Sequence, residues 1–199
     1  MKRRFKIFLT TILLLIVILA IIILTSPYGA QDGFNYKLVK HTVHINAPAD
    51  SVFRYLGNSG NAVNWSVFVD HISSLNSDSL VDGQPGSRRR CFCKKDESGI
   101  RWDETITEVD PGKKRQLTCY DFYGFSMTVD GIATEQKYES SPDGSSDLTF
   151  TFFIKDRKPN ILESLKLYIG SYKLHSIFKR NLENIKAICE GHPPIHPKE

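Results

Sequence analysis

Cysteine is scarce in this chain of 199 residues. There are four, Cys91, Cys93, Cys119 and Cys189, and no C-x-x-C pair. That excludes a disulfide-stapled scaffold and offers no spacing for a structural zinc ion. The inward candidate His41 has no second histidine at ligand spacing beside it, so no metal site is expected. A glycine-rich phosphate loop is absent, as is any recognisable nucleophile motif, and no cofactor is expected. Acidic side chains are missing before Asp32. Four of the 26 lysines and arginines, Lys2, Arg3, Arg4 and Lys6, lie in that acid-free tip, and the other 22 balance the 22 aspartates and glutamates. The basic pI of 8.8 is therefore a property of the tip. A neutral body gives no electrostatic case for a nucleic-acid partner.

Charge is also absent from Ile7 to Leu24, a stretch interrupted only by Thr10 and Thr11. At ~1.5 Å per residue it reaches roughly 27 Å, close to the thickness of a bilayer core. The apolar part of a cleaved signal peptide is about 7–15 residues long, and bulky Tyr28 stands where cleavage after Ala30 wants a small residue. The segment reads as a retained anchor. The positive tip predicts a cytoplasmic N-terminus and a body on the outer side of the cytoplasmic membrane. Residues 1–31 are assigned to tip and anchor, 32–37 to a linker, 38–190 to a folded domain and 191–199 to a frayed tail.

The body has two textures. Tyr36 to Ile45 alternates as a strand, then Ala47-Pro48-Ala49-Asp50 introduces a short helix with Asp50 as expected N-cap, and a shorter helix or turn carries Val63 and Trp65. From His71, turn signals such as Asp82-Gly83, Asp110-Pro111-Gly112 and Pro142-Asp143-Gly144 separate six strands near 71–80, 87–95, 100–109, 115–121, 125–138 and 147–155, an antiparallel meander. From Asn160 to Glu190 the period changes to three and four, with Leu174, Ile177, Phe178, Leu182 and Ile185 on one side. The expected architecture is α+β: a seven-stranded antiparallel sheet wrapped on a long C-terminal helix and preceded by one transmembrane helix.

Three patterns carry a resemblance. Val43-His44-Ile45-Asn46-Ala47-Pro48-Ala49-Asp50-Ser51-Val52-Phe53, the Trp102-to-Gly112 strand and turn, and the closing Leu182-Glu183-Asn184-Ile185-Lys186 resemble the START-like (SRPBCC) superfamily, which includes polyketide cyclase/dehydrase-like and lipid-transfer-like proteins. The resemblance implies a helix-grip fold with a ligand cavity between sheet and long helix. The superfamily hosts carriers, cyclases and regulators, so it fixes fold more than function.

Alternation points Trp102, Glu104 and Ile106 inward from one strand, Leu117 and Cys119 from the next, and Leu148, Phe150 and Phe152 from the last, with Tyr172 and Phe178 facing them from the helix. Trp102, Glu104, Tyr172 and Phe178 are the expected ligand-binding residues. A buried carboxylate at Glu104 needs a partner, and an arginine from 88–90 is a candidate. The Arg88-Arg89-Arg90 run itself reads as a solvated face, and His41 as an inward core residue. The expected function is binding or transport of a hydrophobic or amphipathic small molecule by a protein tethered to the bilayer through residues 7–24. The alternatives are a cyclase or dehydratase using Glu104 and a protein-interaction module at the membrane. With one buried ionisable candidate, binding is favoured over catalysis. Cys91, Cys93 and Cys119 are expected to remain unbridged packing residues.

Overall fold

A computed structural model describes residues 2–30, 34 and 36–198. Of the expected linker, residues 32, 33 and 35 lie outside the described residues. Helix α1 (Lys2–Thr25) leads to a two-residue strand β1 (Gly29–Ala30) and to β2 (Lys37–Ile45). Helix α2 (Ala49–Gly57), a 3-10 turn (Ser59–Asn61) and α3 (Ala62–Trp65) follow. Six strands come next: β3 (His71–Ser74), β4 (Arg88–Phe92), β5 (Arg101–Asp110), β6 (Lys114–Tyr123), β7 (Ile132–Ser140) and β8 (Ser146–Ile154). Helix α4 (Ile161–Cys189) closes the chain.

The sheet has eight strands in the order β1-β2-β8-β7-β6-β5-β4-β3, not seven. The meander from β3 to β8 holds throughout, and β2 returns to pair antiparallel with β8. The extra strand is β1, whose Gly29 and Ala30 pair with Leu38 and Lys37 where the chain leaves α1. One row across the concave face runs Val39–Phe152–Thr134–Leu117–Ile106. The period of two carries that face along each strand, so Arg89, Cys91, Trp102, Glu104 and Cys119 share it.

Helix α4 lies across this face. Asn160 and Glu163 form a reciprocal capping box at its start, each side chain accepting from the other's backbone N–H at 2.9 Å. Gly191 ends it in the left-handed region that glycine adopts without strain. The far half of α4 packs Phe178, Leu182 and Ile185 against Val52 and Leu56 of α2 and against Ile45, Tyr138 and Leu148 of the sheet. The near half contributes Leu167 to a smaller cluster with Tyr28, Val39, Val129 and Ile154.

Two local expectations are corrected. Asp50 is not the N-cap of α2. The helix begins earlier, with Pro48 as N-cap and its carbonyl accepting from the Ser51 and Val52 N–H groups, while Asp50 sits in the first turn and places its charge at the positive helix end. The tail after Gly191 is also not frayed. Asn184 Oδ1 accepts from the backbone N–H of Ile195 and His196, and His196 Nε2 lies 2.6 Å from Glu183 Oε2, which folds the tail back along α4.

Arg3–Thr25 is long and apolar enough to cross a membrane, and none of it is buried in the protein. Its exit is attached to α4. Ser26 Oγ is bonded to Ser171 Oγ at 2.8 Å and donates to the Tyr168 carbonyl at 2.9 Å, and the Tyr28 ring meets the Tyr168 ring edge-on.

Candidate functional site

Beside the Leu167 cluster, beneath the near half of α4, the sheet and helix stand apart. They enclose a cavity of about 500 Å³, within the range of small-molecule sites. Its walls are mostly apolar: Trp65 and Phe68 after α2, Trp102 on β5, Phe122 and Phe125 where β6 ends, Phe150 and Phe152 on β8, and Leu167, Leu174 and Phe178 on α4. Gly124 turns the chain at the rim with a positive φ. A Cβ there would press against the backbone of Gly99 and Ile100, so the turn requires glycine.

At the β4–β5–β6 end stands a polar cluster. Arg89 Nε donates to Glu104 Oε2 at 2.9 Å, and Trp102 Nε1 donates to Glu104 Oε1 at 2.9 Å. Both Arg89 and Glu104 are buried. Burial presses the Arg89 guanidinium pKa down, but the adjacent Glu104 charge leads the effects that hold it above its ordinary value. Cys91 and Cys119 flank the pair, and burial, reinforced by Glu104, raises both thiols well above the usual range. Strand β5 separates the two cysteines, and all four cysteines of the chain are free.

Around Glu104, Gln136 and Asn181 the hydrogen bonding is one-sided. Both Glu104 oxygens are engaged. Gln136 Oε1 accepts from Arg115 at 3.1 Å and from Tyr138 at 2.7 Å, and Asn181 Oδ1 accepts from the Val67 N–H at 2.8 Å. The Arg89 Nη, Gln136 Nε2 and Asn181 Nδ2 nitrogens, in contrast, donate to no described residue, and none is sealed from the cavity space. On Glu104, Gln136 and Asn181 the oxygens are in use, and the spare groups are donors.

Of the four expected residues, Trp102, Glu104 and Phe178 border this cavity. Tyr172 does not. It is 42% exposed on the opposite side of α4, and its hydroxyl bonds to Thr25 and the Ile22 carbonyl of α1. The arginine run is also split by the strand pleat: Arg88 is exposed, and Arg90 lies on the convex face, bonded to Asp103 at 2.6 and 2.9 Å. Arg89, however, points inward, so the run is not one solvated face. His41 does face α4, half-buried against the His175 ring. Sequence reasoning missed Gln136 and Asn181. Their signal was a polar residue on an apolar period, Gln136 between Thr134 and Tyr138 and Asn181 between Phe178 and Leu182. Among the described residues no cluster of three or more His, Cys, Asp or Glu is placed to hold a metal ion.

The family model described as polyketide cyclase/dehydrase and lipid transport matches residues 37–190. The chain belongs to that family. Solved structures support the fold of this family member. A protein from Thermobifida fusca is similar at 16% identity and TM-score 0.58, over 81% of this chain and 99% of its own. A protein from Nitrosospira multiformis is similar at 12% identity and TM-score 0.55, over 75% and 94%. DynU16, from the dynemicin biosynthetic locus, is similar at 16% and 0.54, over 81% of this chain and 51% of its own. No curated protein matches the chain by sequence.

Proposed function

We propose that this family member is a membrane-tethered binding protein for an amphipathic small molecule. The apolar body of that molecule fills the cavity against Trp102 and Phe178, and an oxygen-bearing end meets Arg89, Gln136 and Asn181. Glu104 acts by positioning Arg89. In this reading α1 crosses the cytoplasmic membrane with its basic tip inside, and the domain sits on the outer side.

One observation carries the proposal: spare donors on Arg89, Gln136 and Asn181 border a mostly apolar space, while the side-chain oxygens of Glu104, Gln136 and Asn181 are engaged. Buried polar groups without partners cost stability, and a ligand oxygen would supply what the chain does not. A catalytic use of Glu104 is less well supported, because two donors already occupy its oxygens. An interaction module would have no need of a hollow core.

Both tryptophans of the chain border the cavity, which makes the site observable. In the detergent-extracted full chain, the fluorescent fatty acid parinaric acid should quench tryptophan emission saturably and be displaced by oleate. Trp102→Ala, followed through the probe's own emission, should weaken binding several-fold. Linear, unsaturable uptake that is equal in the two proteins would refute the proposal.

A further inference from the structure

We infer that the first half of α4 lies in the headgroup layer of the membrane that α1 enters, so that the cavity opens onto the bilayer. The inference rests on the tethered reading above and adds an orientation to it.

This half-helix is apolar on two sides. Leu167 and Leu174 face the cavity. On the side away from the sheet, Leu162, Ile169 and Tyr172 are 64%, 42% and 42% exposed, and Leu165 between them is half-buried. Their spacing of three, four and three residues makes one continuous stripe. Ile161, 90% exposed, extends it at the helix start. A helix face turned to water would carry polar residues at these positions.

The stripe begins where the anchor ends. Tyr172 holds Thr25 and the Ile22 carbonyl, and Ser171 holds Ser26. The last apolar turns of α1 and the outer stripe of α4 therefore form a continuous apolar surface, and lipid that surrounds the first reaches the second. The flanking charges fit the same level. Lys158, Lys166 and Lys173 border the stripe, while its neighbouring acid, Glu163, is paired with Arg157 at 2.7 Å. A lysine stem lies along apolar surface, and in this orientation the exposed Lys158 extends its ammonium group to anionic headgroups.

Lys166 and Lys173 also line the cavity, opposite the Gly124–Thr128 segment with its exposed Met127, and Lys166 Nζ donates to the Thr128 carbonyl at 3.3 Å. Stripe and mouth thus share one rim. In this orientation an amphipathic molecule passes between bilayer and cavity without crossing water.

The full chain should be reconstituted in vesicles of phosphatidylcholine and phosphatidylglycerol, with Leu162→Trp, Ile169→Trp and, as a control on the convex sheet face, Lys137→Trp. With the parent's emission subtracted, brominating the phosphatidylcholine chains should quench the added tryptophan at 162 and 169 and leave that at 137 unchanged. Absence of quenching at 162 and 169, in vesicles that retain the protein through alkaline carbonate, would overturn the inference while α1 stays inserted. That stripe would then be free for a protein partner. Release of the protein by carbonate would instead remove the tether, and with it the basis of both readings.

Discussion

The two ends of the space beneath α4 use the same kinds of residue differently. At the far end Val52, Leu148, Leu182 and Ile185 pack in one buried cluster. At the near end Trp102, Phe125 and Phe152 stand around a space of about 500 Å³. Each end buries an arginine. Arg115, 2% exposed at the packed end, meets neutral oxygens: it donates to Gln136 and Tyr138 at 3.1 and 3.3 Å, and its guanidinium lies 4.4 Å from the Phe53 ring centroid. Burial, outweighing Tyr138 and Asp82, lowers its pKa. Arg89 at the hollow end has a carboxylate and still keeps donors unused. Both arginines thus keep an unused donor, but at the filled end the Arg115 Nε is sealed inside the protein. At the hollow end the Arg89 Nη groups are not sealed and their residue lines the space, which is the pattern expected of a site made for an occupant.

That contrast can be tested by substitution. The largest effect is expected at the packed end, where Leu182→Ala should cost about 4 kcal/mol of stability through lost contacts and a cavity that cannot collapse. Chemical denaturation of the full chain in detergent would measure it. At the hollow end Glu104→Leu should cost about 3 kcal/mol, because it leaves Arg89 charged and unpaired. The double substitution Arg89→Met with Glu104→Leu should recover most of that loss, within about 1 kcal/mol of the parent, while abolishing probe binding. Arg115→Met should cost only about 1 kcal/mol, since Tyr138 already donates to Gln136 and no charge is orphaned. If Arg115→Met proved more harmful than Glu104→Leu, the two arginines would not differ as described.

The smallest effect concerns pH. Burial, then the neighbouring His175, and further Lys179 hold His41 below its ordinary pKa of 6.5, with Glu183 opposing them. A depressed folded pKa means that the unfolded chain takes up the proton first. Stability is therefore complete above about pH 6.5 and declines as the pH falls from there toward the folded value. His41→Phe should flatten the part of the thermal-melting decline between about pH 7 and 5 that belongs to this ring. An unchanged slope would show that His41 is solvated.

Much of this fold was legible because turn chemistry and period are local. Each Asx–Gly or Pro–Gly pair marked a reversal, and the change from two to three-and-four marked α4. β1 was not legible, because two residues hold no pattern and their pairing follows the attachment of the end of α1 to α4. Tyr172 was misplaced for a geometric reason. Six residues on an α-helix separate Tyr172 from Phe178 by about 120°, so the two cannot share a face. The first half of α4 is apolar on both sides, and a single-face reading assigned the outer stripe to the inside. Arg89 was half legible: Glu104 announced the need for a partner, but only the register Arg89 opposite Glu104 selects which arginine of the run turns inward.

The central claim, that the hollow end holds a small molecule, is tested most directly by native mass spectrometry of the full chain released from detergent. The account predicts a discrete added mass of an amphipathic molecule, absent from the Arg89→Met, Glu104→Leu double variant and restored to the parent by incubation with a fatty acid after delipidation. A parent protein that shows only its bare mass, before and after that incubation, would contradict it.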